Sequence, residues 1–123
     1  MEINVKRLYD PFAENEGYRI LVDRLWPRGV SKEEFKDKMK VDLWFKDIAP
    51  SSELRQWFGH DPAKWDEFRR RYEDELKKNP QAVEKFRENL KGHEKVVFVY
   101  ATQNREYNHA RVLKEYLQKK TAS

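Results

Sequence analysis

At 123 residues the chain holds one hydrophobic core and has no room for a second, so residues 1–123 are read as a single domain. Cysteine is absent, which excludes disulfides, thiol nucleophiles and thiolate metal sites. The net charge of +4 arises from 26 Lys and Arg interleaved with 22 Asp and Glu, a pattern of solvated helix faces carrying opposite-sign pairs rather than of a dedicated nucleic-acid surface.

No apolar run approaches the roughly 20 residues of a membrane span. The start Met1-Glu2-Ile3-Asn4-Val5 lacks the basic and then apolar pattern of a secretion signal. A soluble, cytoplasmic protein without membrane partners is therefore expected. Charged residues reach 39% and mean hydropathy is -1.09, values that border on disorder. Four Trp, six Tyr and seven Phe supply the large buried areas that a folded core needs.

In chain order, residues 3–8 read as a short strand through Ile3, Val5 and Leu8. Asp10-Pro11 breaks it, and a polar loop runs to Gly17. Residues 18–25 hold a nearly continuous apolar centre, the mark of a buried strand, and Pro27 and Gly29 end it. Ser31 and Glu34 form a capping box that starts a helix carrying Phe35 and Met39. Residues 41–48 read as extended. After Pro50-Ser51-Ser52 comes a short helix with Leu54, Trp57 and Phe58, closed by Gly59. Asp61-Pro62 is an N-cap followed by proline at the first helical position, and Trp65, Phe68, Tyr72 and Leu76 share one face of the helix that follows. Asn79-Pro80 repeats the signal for a helix with Val83, Phe86 and Leu90, which Gly92 stops. Val96-Val97-Phe98-Val99-Tyr100 is the clearest buried strand. The last helix runs from about Tyr107 to Lys119 with Ala110, Leu113 and Leu117 inward. The order of elements predicts an α/β fold, with a small, mainly parallel sheet of three or four strands flanked by helices on both faces.

In open α/β sheets ligands bind beyond the carboxyl ends of the strands. With the strands parallel, the segments after residues 18–25 and 95–101 share one edge. Arg24 and Arg28 can grip a carboxylate or phosphate through two N–H groups each. Trp26 offers a stacking surface. Thr102, Asn108 and the start of the last helix add hydrogen-bond groups. His109 is a candidate acid or base near neutral pH, and Asp23 can orient an arginine or accept a proton. These residues define a candidate cleft for an anionic small molecule, with His109 and Asp23 as its candidate catalytic pair.

Each residue also has a structural role open to it. Asp23 and Arg24 can pair internally, Trp26 can belong to the core, and His109 sits beside the apolar stripe of its helix. Metal binding finds no support, since His60, His93 and His109 lack zinc-ligand spacing. The four glycines are scattered and form no phosphate-binding loop, and any cofactor is unknown from the sequence. Arg69-Arg70-Arg71 spans most of a helical turn, so these arginines cannot make one flat contact face. At least one is expected to lay its stem over aromatics. Weak, salt-sensitive nucleic-acid binding and a protein-interaction module remain the competing functions.

The run Val22-Asp23-Arg24-Leu25-Trp26-Pro27-Arg28-Gly29-Val30-Ser31-Lys32, the run Trp57-Phe58-Gly59-His60-Asp61-Pro62, and Tyr100-Ala101 followed by Asn108-His109-Ala110 resemble the YeaO-like family of bacterial domains of unknown function. The resemblance extends from about Lys6 to the last helix. It implies a compact α/β fold and brings no assigned catalytic residues.

Overall fold

A computed structural model describes residues 1–121. Four parallel strands form one sheet: β1 (Glu2–Arg7), β2 (Tyr18–Leu21), β3 (Leu43–Trp44) and β4 (Lys95–Tyr100), in the order β1-β4-β2-β3. β4 is central and apolar because it is hydrogen-bonded on both sides and covered on both faces. Its alternation decides which layer each residue enters. Val96, Phe98 and Tyr100 face one cluster, and Val97 and Val99 face the other.

The first cluster is the main core. α1 (Ser52–Phe58), α2 (Trp65–Lys77), α3 (Pro80–Leu90) and α4 (His109–Thr121) all contribute to it. The capping signal at Asp61 is realised, Ser51 adds a cap that the sequence reading did not single out, and Asn79 stands at the N-terminus of α3 without a side-chain cap bond. Ser51 Oγ accepts from the Leu54 N–H at 3.1 Å, and Asp61 accepts from the Ala63 N–H at 3.0 Å. Pro62–Lys64 forms a 3-10 turn before α2 begins.

The opposite face departs from the expectation of helices on both sides. It is covered by the loop of residues 8–17 and by the chain from Trp26 to Val41, where Trp26, Val30, Phe35, Met39 and Val41 join the second cluster. The capping box at Ser31 and Glu34 forms reciprocally, but it starts only a wide π-helical turn over Glu34–Lys38. Lys40 then takes a left-handed conformation, φ 54°, and ends it. Residues 41–48 are likewise only partly extended: β3 has two residues, and Lys46–Ile48 is a 3-10 turn.

A buried charge supports this thinner layer. Arg19 on β2 is 1% exposed and points away from the main core. Its Nη1 donates to Glu16 at 2.8 Å, its Nε to the Met39 carbonyl at 3.1 Å, and the Phe12 ring covers it at 5.5 Å. Lys6 reaches the other oxygen of Glu16 at 2.9 Å. Gly17 enters β2 at φ 106°, where a Cβ would lie 2.3 Å from the Lys95 carbonyl oxygen, so only glycine fits against β4 there.

Candidate functional site

A cleft of about 550 Å³ opens beyond the carboxyl ends of β1, β2 and β4. It is lined by every residue singled out from the sequence: Asp23, Arg24, Trp26, Arg28, Thr102, Asn108 and His109. The sheet topology brings them together. β2 and β4 are parallel neighbours, so the chain leaving Leu21 and the chain leaving Tyr100 emerge side by side, and α4 returns over the same edge.

Asp23 ties the two strand exits. Its Oδ2 accepts from the Ala101 N–H at 3.0 Å, and its main-chain carbonyl accepts from the Trp44 indole at 2.7 Å. Its Oδ1 lies 3.1 Å from His109 Nε2. The imidazole N–H aligns instead with the Val22 carbonyl at 2.9 Å, which leaves Oδ1 without an aligned hydrogen bond. Asp23 and His109 thus lie side by side, and the imidazole ties α4 to the end of β2 through Val22.

Arg24 is half-buried and makes no ion pair with Asp23. The two side chains diverge at the strand end. Arg24 donates from Nε to the Pro50 carbonyl at 2.8 Å and from Nη2 to the Ala49 carbonyl at 2.9 Å. The next carbonyl back, Ile48, accepts from the Tyr72 hydroxyl at 2.7 Å. Burial holds that phenol far above its ordinary pKa, so it stays a donor. Glu75 grips Ser51 through both its N–H (2.9 Å) and its hydroxyl (2.6 Å). Arg24 thus lacks the expected carboxylate partner among the described residues. Its partners are buried main-chain oxygens at the start of α1.

Two further residues are engaged locally. The Trp26 ring packs on Phe35 (4.6 Å between centroids) and Trp44 (5.3 Å), and its N–H is given to the Val30 carbonyl at 2.7 Å. It belongs to the second core cluster and presents only part of its surface to the cleft. Asn108 is 2% exposed and caps α4: Oδ1 accepts from the Arg111 N–H at 3.1 Å, while Nδ2 donates to the carbonyls of Asn104 and Arg105, both at 3.1 Å. No donor of its side chain is left for a ligand.

Arg28 is different. It is exposed at the cleft wall and holds no hydrogen bond or ion pair among the described residues. The cleft also contains residues that sequence reasoning missed. Arg55 on α1 is exposed there and equally without a partner. His60, also exposed, places Nδ1 3.4 Å from the Thr102 hydroxyl. Tyr9 and Leu25, two of the large apolar side chains left exposed, line the same cavity. The signal for Arg55 and His60 lay in their neighbours: the Gly59 cap that ends α1 turns the chain back over the strand ends.

The cleft is electropositive. Arg24, Arg28 and Arg55 line it with His60 and His109, against the single carboxylate of Asp23. No group of His, Asp and Glu residues among those described has metal-binding geometry. The arginine triplet lies elsewhere, on α2, and is paired. Arg69 meets Glu73 and Glu115, Arg70 meets Glu67, and Arg71 binds Glu67 while its guanidinium, rather than its stem, lies over Trp57 at 4.3 Å. No helix is long and apolar enough to cross a membrane among the described residues.

These features define a small α/β domain with an all-parallel sheet and a basic cleft at its carboxyl edge. Residues 2–123 match the family model described as the inactive DUF488-N3 subclade, and the chain belongs to that family. It is 41% identical over 115 residues to an uncharacterized protein of Mycobacterium tuberculosis, covering 94% of this chain and 92% of the relative. It is 39% identical over 117 residues to the uncharacterized protein YeaO of Escherichia coli, covering 95% and 97% respectively. No solved structure matches it.

Proposed function

We propose that the domain is a non-catalytic binding module whose strand-end cleft takes an anionic small molecule. The observation that carries this reading is the pair of guanidinium groups, Arg28 and Arg55, without partners among the described residues, in a cleft where the one carboxylate among them, Asp23, accepts from the Ala101 N–H. Arginine is suited to such a role because its rigid fork matches carboxylate and phosphate oxygens and is weakly hydrated. Exposed Tyr9 and Leu25 add apolar surface for the body of the ligand.

The partial internal use of Asp23 and His109 supports binding over catalysis, since Asp23 Oδ2 and His109 Nε2 both brace the fold. The family description, an inactive subclade, agrees with that reading. Nucleic-acid binding draws less support, because the densest run of arginines is neutralised by glutamates on its own helix and on α4. A thermal-shift panel of phosphate, sulfate, acetate and benzoate tests the proposal. At least one anion is expected to raise the melting temperature of the wild type and to leave that of the Arg28→Ala/Arg55→Ala double variant unmoved. Equal responses from both proteins would overturn it.

A further inference from the structure

His60 is the feature of the cleft that the fold does not explain. It follows Gly59 directly, and both residues are left-handed, at φ 52° and 59°. Glycine occupies that region freely and closes α1 with it. Histidine is one of the few other residues that adopt it, at some cost, and residues held in sparsely populated backbone regions cluster at ligand sites. The side chain gains little in return. It is exposed, its ring is 6.3 Å from Phe58, and its nearest polar neighbour is the Thr102 hydroxyl at 3.4 Å, the outer edge of hydrogen-bonding distance. The neighbouring Asp61 is occupied in capping Ala63.

Resting on the anion-binding reading above, we infer that His60 is a ligand-binding residue. With Thr102, Arg28 and Arg55 it forms a set of donors suited to a tetrahedral phosphomonoester rather than to a carboxylate. A carboxylate is satisfied by one guanidinium fork. A phosphomonoester carries three terminal oxygens and up to two charges. It uses a second fork, an imidazole N–H and a hydroxyl as well, and all four groups line this one cleft. The charged and titratable groups that face His60 across the cleft are Asp23, Arg24, Arg28, Arg55 and His109, with the phenols of Tyr9 and Tyr107. Asp23 is the single acid among them; its Oδ2 is held by the Ala101 N–H and its Oδ1 lies 3.1 Å from His109 Nε2.

The test is calorimetric titration of the full chain with phenyl phosphate, inorganic phosphate and benzoate, on the wild type, His60→Gly and His60→Asn. Glycine and asparagine both accept the left-handed backbone, so melting temperatures should stay unchanged or rise. Phenyl phosphate is expected to bind the wild type more tightly than benzoate and to lose about tenfold in affinity in His60→Gly, roughly one charge-assisted hydrogen bond. Benzoate should change by less than about twofold. Parallel loss for inorganic phosphate would assign the effect to the phosphate group, and loss for phenyl phosphate alone would overturn that assignment. Tighter benzoate binding that ignores His60 would overturn the inference while leaving the anion-binding cleft standing. Binding of none of the three would remove both.

Discussion

The guanidinium of Arg24 donates from Nε to the carbonyl oxygen of Pro50 at 2.8 Å, and so fastens the end of β2 to the start of α1. A second N–H holds the Ala49 carbonyl, and both acceptor residues are buried. Arg24→Ala would leave two buried carbonyls without donors. We expect a loss of about 2–4 kcal/mol, from two charge-assisted bonds to a half-buried group. Arg24→Lys should recover little of it, because an ammonium cannot span both oxygens as the fork does. Urea denaturation of the three proteins reads this directly. Arg28→Ala should stay within about 0.5 kcal/mol of wild type, as a surface change without lost partners.

Gly17 and Gly92 give a matched pair of substitutions. Both have positive φ, 106° and 87°. At Gly92 a Cβ meets nothing within 4 Å, whereas at Gly17 it would overlap the Lys95 carbonyl, which is fixed in the central strand. Gly92→Ala should cost about 1 kcal/mol from backbone strain alone. Gly17→Ala should cost clearly more, because β2 must move away from β4 as well. Denaturant midpoints of the two variants check the order.

Arg19 and Glu16 form a buried pair, 1% and 11% exposed at the side chain. Removing Glu16 strands the buried guanidinium, whereas removing Arg19 leaves Glu16 its Lys6 and Ala13 partners, so Glu16→Ala is expected to destabilise by about 3–5 kcal/mol and Arg19→Ala by less. The combined Arg19→Met/Glu16→Gln variant should be destabilised by less than Glu16→Ala, since no uncompensated buried charge remains. A double-mutant cycle in urea measures the coupling.

Acid should weaken the fold through two carboxylates. The bidentate bond from Arg105, aided by its charge, lowers the Asp10 pKa to about 2. Burial pushes Glu16 up, but the Ala13 N–H, the Lys6 bond and the charges of Arg19 and Lys6 outweigh it and lower its pKa too. Both groups are more acidic folded than unfolded. Their stabilisation is therefore complete above the unfolded value near 4 and is lost as pH falls through the folded one. Arg105 is 61% exposed, so solvent screening limits the Asp10 share to about 1 kcal/mol or less. Stability measured at pH 6, 4 and 2 should fall mainly below 4, and Asp10→Asn should flatten part of that fall.

Much of this was legible in the chain. The apolar run at 96–100 announced the central strand, Gly59 ends α1 as read, and Asp61-Pro62 starts a 3-10 turn that leads into α2. The strand-end rule placed Asp23, Arg28, Thr102 and His109 on one cleft without any motif. What sequence could not give were partners set by tertiary contact. Arg19 sits inside an apolar strand, and its acid, Glu16, arrives from a loop that periodicity does not describe. Arg24 took carbonyls because residues 48–51 lie against the end of β2, a packing with no local signature. The second sheet face carries no full helix because the capping box at Ser31 and Glu34 is followed by only one turn before Lys40 reverses the chain.

The central claim, an anion held at the carboxyl edge of the sheet, is tested most directly by amide NMR during a phosphate titration at constant ionic strength. The account predicts saturable shifts confined to the backbone around Arg28, Arg55, His60 and Thr102, abolished in the Arg28→Ala/Arg55→Ala variant. Shifts that never saturate, or that gather on α2 around Arg69, Arg70 and Arg71 instead, would contradict it.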